Sequence, residues 1–166
     1  MPEKETLERA QEDAREGKSP STQAGEFVKE EMDHIREGKH GARSTKQAIA
    51  IGLSKARRAG VKLAPPKKGT TSETTRKKAE RDVSRGSRPA KKKSAKRSRA
   101  VERALKREGY SAASRQALSK QARQAARKRS SAARSRSAQK AVRTKGPAEL
   151  HQAARKAART RQRRAA

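Results

Sequence analysis

The sequence predicts a mainly α-helical protein. A small N-terminal helical module is followed by a disordered or conditionally helical basic tail rich in Ala, Arg and Lys, with no globular core across the chain. Three observations predict this. Of 166 residues, 49 are apolar, but 31 of those are alanine and only 15 are Leu, Ile, Val or Phe. Alanine buries little area, and so few large side chains fall below the roughly 20% of the chain needed to offset ordering entropy in a highly charged sequence. The 47 Lys and Arg outweigh the 17 Asp and Glu to leave a formal charge of +30. Finally, the charge is uneven: residues 1–63 carry 13 basic and 11 acidic side chains, whereas residues 64–166 carry 34 and 6.

The boundaries follow from that split: a near-neutral module of three short helices over 1–63, a linker over 64–75 opened by Pro65 and Pro66, and a repeat-containing basic tail over 76–166. In the module, Pro2 suits a first helical turn, and Glu3, Glu5 and Glu8 complement the positive end of the helix dipole. Gly17 stops this helix. Ser19 and Pro20 open the second, with Ser as cap and Pro in the first turn. Its apolar positions Ala24, Phe27, Val28, Met32 and Ile35 fall on one face, and Gly38 ends it. Ser44 and Gln47 have capping-box spacing for the third, whose stripe is Ile49, Leu53 and Ala56. Gly60 stops that helix, with Val61 placed to pack back on Ala56. Phe27, Val28, Met32, Ile35, Ile49 and Leu53 are the residues expected to pack the module, a marginal core for a domain standing alone.

Two repeats run through the chain. Arg-Glu-Gly-Lys at 15–18 recurs at 36–39 and as Arg-Glu-Gly-Tyr at 107–110, each followed by a Ser-rich helix start. In the third copy Tyr110 is placed to pack on Leu105 as a Schellman contact. In the tail, SAQKAVRTK at 137–145 matches AARKAARTR at 153–161, with breakers at Ser130-Ser131 and Gly146-Pro147 between copies. Short Ala/Arg/Lys blocks are marginal helices in water, and like charges at i and i+4 weaken them, so helix formation in the tail is expected on binding a polyanion.

The segment STKQAIAIGLSKARRAG at 44–60, with GKSPSTQAGEFVKEEMDHIREGKHGARS before it, resembles short basic bacterial proteins grouped as a domain of unknown function. The resemblance spans residues 1–69 and implies no activity. The tail, with blocks such as PAKKKSAKR and KAARTR, is similar in composition to bacterial histone-H1-like tails, which implies a DNA-coating role.

The functional expectation is a non-enzymatic, largely sequence-independent DNA-binding protein, nucleoid-associated and histone-H1-like, that neutralises phosphates and bridges duplexes. Lys and Arg release counterions from phosphate without needing a pocket. The densest cluster is Lys91, Lys92, Lys93, Lys96, Arg97, Arg99 and Arg103; Arg123, Arg127, Lys128 and Arg129 follow, then Arg155, Lys156, Arg159, Arg161, Arg163 and Arg164. Sequence-specific reading would need helices 22–37 and 44–59 to act as a helix-turn-helix with Lys46, Lys55, Arg57 and Arg58 facing DNA; a small hairpin that packs or dimerises competes with it. Two further alternatives are an interaction or stress-associated protein whose tail is only a polyanion tether, and an RNA- or ribosome-associated protein. One Tyr and one Phe cannot build base-stacking platforms.

No enzyme chemistry is expected. His34, His40 and His151 are the only histidines and read as surface residues, and two His on separate elements do not make a metal site. The absence of Cys removes thiolate sites and disulfides. No catalytic residue, metal, cofactor or small-molecule substrate is therefore expected. The partners expected are nucleic acid, duplex DNA first and RNA second, and a second copy through the N-terminal module. No membrane partner is expected, because no apolar run approaches a span and the charged N-terminus lacks a signal's apolar stretch. Location should be cytoplasmic and on the nucleoid, or nuclear in a eukaryote, where Lys91 to Arg97 fit a localisation pattern.

Overall fold

The computed structural model describes residues 2–86 and 94–165. These form α1 (Lys4–Arg15), α2 (Pro20–Arg36), α3 (Thr45–Arg58), α4 (Glu73–Gly86), α5 (Ala95–Lys106), a 3-10 turn (Ser111–Ala113), α6 (Arg115–Arg127) and α7 (Ser131–Ala165). Two compact units divide the chain, residues 1–121 and 122–166. Among the described residues no helix is long and apolar enough to cross a membrane.

In the first unit α2 packs against α1 on one side and α3 on the other, and α3 also carries α4. The helix limits are set locally. The Gly17 amide bonds Ala14 O at 3.1 Å and the Lys18 amide bonds Asp13 O at 2.8 Å, a Schellman stop. The same pair of bonds recurs at Gly38 and Lys39 after α2, and at Gly60 and Val61 after α3. Pro20 occupies the first turn of α2 behind Ser19, which stands at the N-cap position but makes no side-chain cap bond; its Oγ meets the hydroxyls of Ser21 and Thr22 instead. At α3, Ser44 Oγ accepts from the Gln47 amide at 3.2 Å, while Gln47 Oε1 reaches back to the Arg43 amide at 2.9 Å.

Two apolar clusters result. Phe27, Ala24, Ala10 and Ala56 are buried together, with Leu7, Leu53, Val61 and Leu63 against them. Met32, Ile35, Ala42, Ala48, Ala112 and Ala113 form the second, flanked by Val28, Ile49 and Leu118. Between them α2 and α3 cross so closely that a Cβ on Gly52 would lie 2.7 Å from Val28 Cα.

The second cluster corrects the expected fold class. The described part of the basic tail is helical, and it contributes to a core. Ala112 and Ala113, 4% and 1% exposed, close over Ile35 and Ala48. The backbone secures this return. The Gly41 amide donates to Leu105 O at 3.0 Å, the Ala42 amide to Gly109 O at 3.1 Å, and Thr45 Oγ1 to Ala112 O at 2.7 Å. Gly41 has to be glycine, since a Cβ there would overlap the Glu108 carbonyl oxygen. Likewise α4 docks through buried Ala79, and a Cβ on Gly86 would overlap the Arg57 carbonyl oxygen. Alanine contributes little area, but its small size lets backbones approach until their polar groups bond directly.

Tyr110 also departs from expectation. Gly109 does not take a positive φ, Tyr110 is 52% exposed, and Leu105 O accepts from Gly41 and Glu108. The third repeat copy therefore has no Schellman stop; its carbonyls bind the α2–α3 connector.

The second unit is helical as well, although its described side chains are nearly all exposed. Ser130 Oγ caps α7 by accepting from the Ala133 amide at 3.2 Å. The helix is interrupted only at Gly146 (φ 69°, ψ 167°), next to Pro147. Here alanine propensity outweighs the expected charge repulsion. Each like-charge pair costs only about 0.2–0.5 kcal/mol, and replacing Ala by an ordinary residue costs up to about 0.7 kcal/mol. Runs longer than the repeat blocks escape the nucleation penalty that makes isolated turns marginal.

Candidate nucleic-acid interface

The basic residues sort into two groups, those consumed inside the fold and those presented outward. Lys55 is enclosed by carboxylates: its Nζ lies 2.9 Å from Glu30 Oε1 and 2.7 Å from Glu31 Oε2. Burial pushes the ammonium down, but the two carboxylates outweigh it and raise its pKa. Burial pushes the Glu30 carboxyl up, and hydrogen bonds from Lys55 and from the Glu3 amide more than reverse this, holding it below its ordinary value. Arg57 is 8% exposed and donates from Nε to Leu63 O and from Nη2 to Ala64 O, at 3.2 and 3.3 Å. Arg58 donates to Ser54 O and faces Asp82 on α4. Of the four cations a reading helix would use, Lys55 and Arg57 are thus drawn into the fold, whereas Arg58, facing Asp82, and Lys46 are exposed. This arrangement opposes α3 as a DNA-reading helix.

The outward group lies on α5, α6 and α7. Lys96, Arg99 and Arg103 recur at i, i+3 and i+7 along α5, with Arg97 beside them, and all four are exposed. Ser94 Oγ caps this helix towards the Arg97 amide. Arg123 and Arg127 sit one turn apart on α6, and Lys128 and Arg129 follow its end, all exposed. On α7, Arg155, Arg159 and Arg163 repeat every fourth residue, and Lys156 and Arg161 are exposed beside them. Lys91, Lys92 and Lys93 and the side chain of Arg164 lie outside the described residues.

Electrostatically the C-terminal part is almost pure cation. After Glu108 there are 17 Lys and Arg and one acid, Glu149. An open cleft on the first unit adds residues the sequence reading did not single out for binding: Arg36, Tyr110, Ser114 and Arg115 line it. Arg36 is steered there by donating from Nε to Ala113 O at 3.3 Å, a contact made only once the chain returns from α5.

The packing residues fall as follows. Phe27, Met32 and Ile35 are buried, while Val28, Ile49 and Leu53 are half-buried at the cluster edges. The histidines need correction. His151 is exposed, but the His34 and His40 side chains are 13% and 15% exposed, His34 facing Glu3 at the start of α1 and His40 the buried Glu31 of α2.

Residues 15–68 match a family of unknown function (DUF6496). No curated protein and no solved structure is significantly similar to the chain.

Proposed function

We propose that this chain is a non-enzymatic, sequence-independent nucleic-acid-binding protein that coats duplex DNA on the bacterial nucleoid, in the manner of histone-H1-like proteins. One observation carries the reading: the described cations of α5, α6 and α7 are exposed on capped helices, and a single acid follows Glu108. Such stripes neutralise phosphates and release counterions, which requires no base contact. Lys55 and Arg57, drawn into internal bonds, favour this mode over base readout.

The test is fluorescence anisotropy of the full chain with a random-sequence duplex over a range of salt. Each phosphate contact contributes about 0.9 to the log–log slope. Replacing Arg155, Arg159 and Arg163 by Gln together should flatten the slope by about 2.7 and weaken binding to all sequences alike. An unchanged slope, or no binding at physiological salt, would overturn the proposal. Preferential displacement by structured RNA would instead move the assignment to RNA association.

A further inference from the structure

The end of α2 brings His40 back to two groups that already share a helix face. Glu31 and His34 lie at i and i+3 on α2, and the reversal at Gly38 turns the chain so that His40 comes back over the same face. A Glu31 carboxylate oxygen, a ring nitrogen of His34 and one of His40 all lie within 4.8 Å of one another. The rings meet edge-on, with centroids 5.9 Å apart and planes at 86°. We propose that Glu31, His34 and His40 form a binding site for a zinc-class divalent metal ion.

Three independent features support the site. Glu31 is 0% exposed, and neither carboxylate oxygen has a hydrogen-bond partner of adequate geometry, only charge contacts with Lys55 and His40. Lys55 at 2.7 Å compensates Oε2, so Oε1, faced by His40 alone, is the buried oxygen left to take a further cation. His40 Nδ1 lies 3.1 Å from Gly41 O, a group that can only accept, so Nδ1 carries the proton. His40 Nε2, the other ring nitrogen, lies 3.3 Å from Glu31 Oε1, so these two ligand atoms already stand at the separation a tetrahedral ion requires. The local charge agrees: Glu30 and Glu31 face one ammonium, Lys55, leaving one negative charge over, while Glu3 is taken up by Lys39.

The surroundings would hold the ligands in place. Glu3 Oε1 lies 2.8 Å from His34 Nε2 and fixes that ring, as carboxylates do behind metal-bound histidines. Lys55 holds Glu31 Oε2, leaving Oε1 to coordinate. A tetrahedral zinc ion with bonds of about 2.0–2.1 Å needs ligand atoms about 3.3 Å apart, a closure of roughly 1.5 Å that torsions of His40, on the irregular α2–α3 connector, can supply. Two imidazoles and a carboxylate select zinc, cobalt or nickel over magnesium or calcium. Three protein ligands would leave a fourth position for water.

The test is calorimetric titration of zinc chloride into the full-length chain in phosphate-free buffer, with cobalt(II) as a visible-absorption probe of tetrahedral coordination. We expect one ion per chain, a higher melting temperature, and movement of the His34 and His40 ring 15N shifts in the unmodified protein. His40→Ala should weaken binding at least tenfold, Glu3→Gln about 10–100-fold, and His151→Ala should leave it unchanged. Absence of saturable one-to-one binding, zinc-insensitive ring shifts, or equal binding by His40→Ala would overturn the site. The ring shifts are read on the unsubstituted chain, so that outcome stands even where a variant fails to fold.

Discussion

Gly52 is the residue at which the α2–α3 crossing is decided. An added Cβ would meet Val28 Cα at 2.7 Å and Phe27 O at 3.0 Å, both backbone atoms that cannot rotate away. Gly52→Ala should therefore cost about 1–3 kcal/mol despite alanine's better helix propensity, as an overpacked core does. Denaturant unfolding would measure it, and a neutral or stabilising result would refute the close crossing. Gly52 adjoins the Ile49–Leu53–Ala56 stripe in sequence, which does not indicate that a backbone lies against it, because glycine has no side chain through which periodicity can speak. His34 and His40 were misread for a related reason. Their meeting depends on the Gly38 reversal, a three-dimensional result of a stop signal that was itself legible.

Among the elements, those governed by neighbours in sequence were readable. The Ser44–Gln47 start, the Ser19-Pro20 start and the stops at Gly17, Gly38 and Gly60 all act within about six residues. The return of residues 105–113 to the α2–α3 connector was not, since it is carried by two alanines and by backbone bonds at Gly41 and Ala42, which leave no distinctive side-chain pattern. The one written trace is Gly41 itself. Gly41→Ala should release this return while leaving α1–α3 folded. Hydrogen exchange would then show the Ala42 amide losing protection and the amides of α1 and the N-terminal half of α2 keeping theirs. Uniform loss of protection would mean that the return is integral to the whole unit. The basic helices were legible as charge but not as structure: composition located the cations, whereas their regular presentation required α5 and α7 to be formed.

For the whole molecule, helix content distinguishes a folded C-terminal part from a disordered one. Helices α1–α5 and the part of α6 up to Gln121 account for 76 residues, under half of 166. Circular dichroism of the free full-length chain at low ionic strength should give well over half helix, which the described helices of the first unit do not reach without the second. A value at or below half would return that unit to the disordered reading. The expectation of disorder failed because it counted large apolar residues alone; capping serines and alanine propensity, which bury nothing, stabilise a helix without a core.

The closure of Ala112 and Ala113 over Ile35 and Ala48 governs how the protein can be dissected. The family match ends at residue 68, yet the roof over its second apolar cluster is supplied from more than forty residues downstream. A fragment cut after residue 68 would be unroofed as well as stripped of cations, with Ile35 newly wetted. Its failure to bind a duplex would confound lost charge with lost architecture. The informative scissors are chemical rather than genetic: erase charge on α7 residue by residue and leave the chain intact.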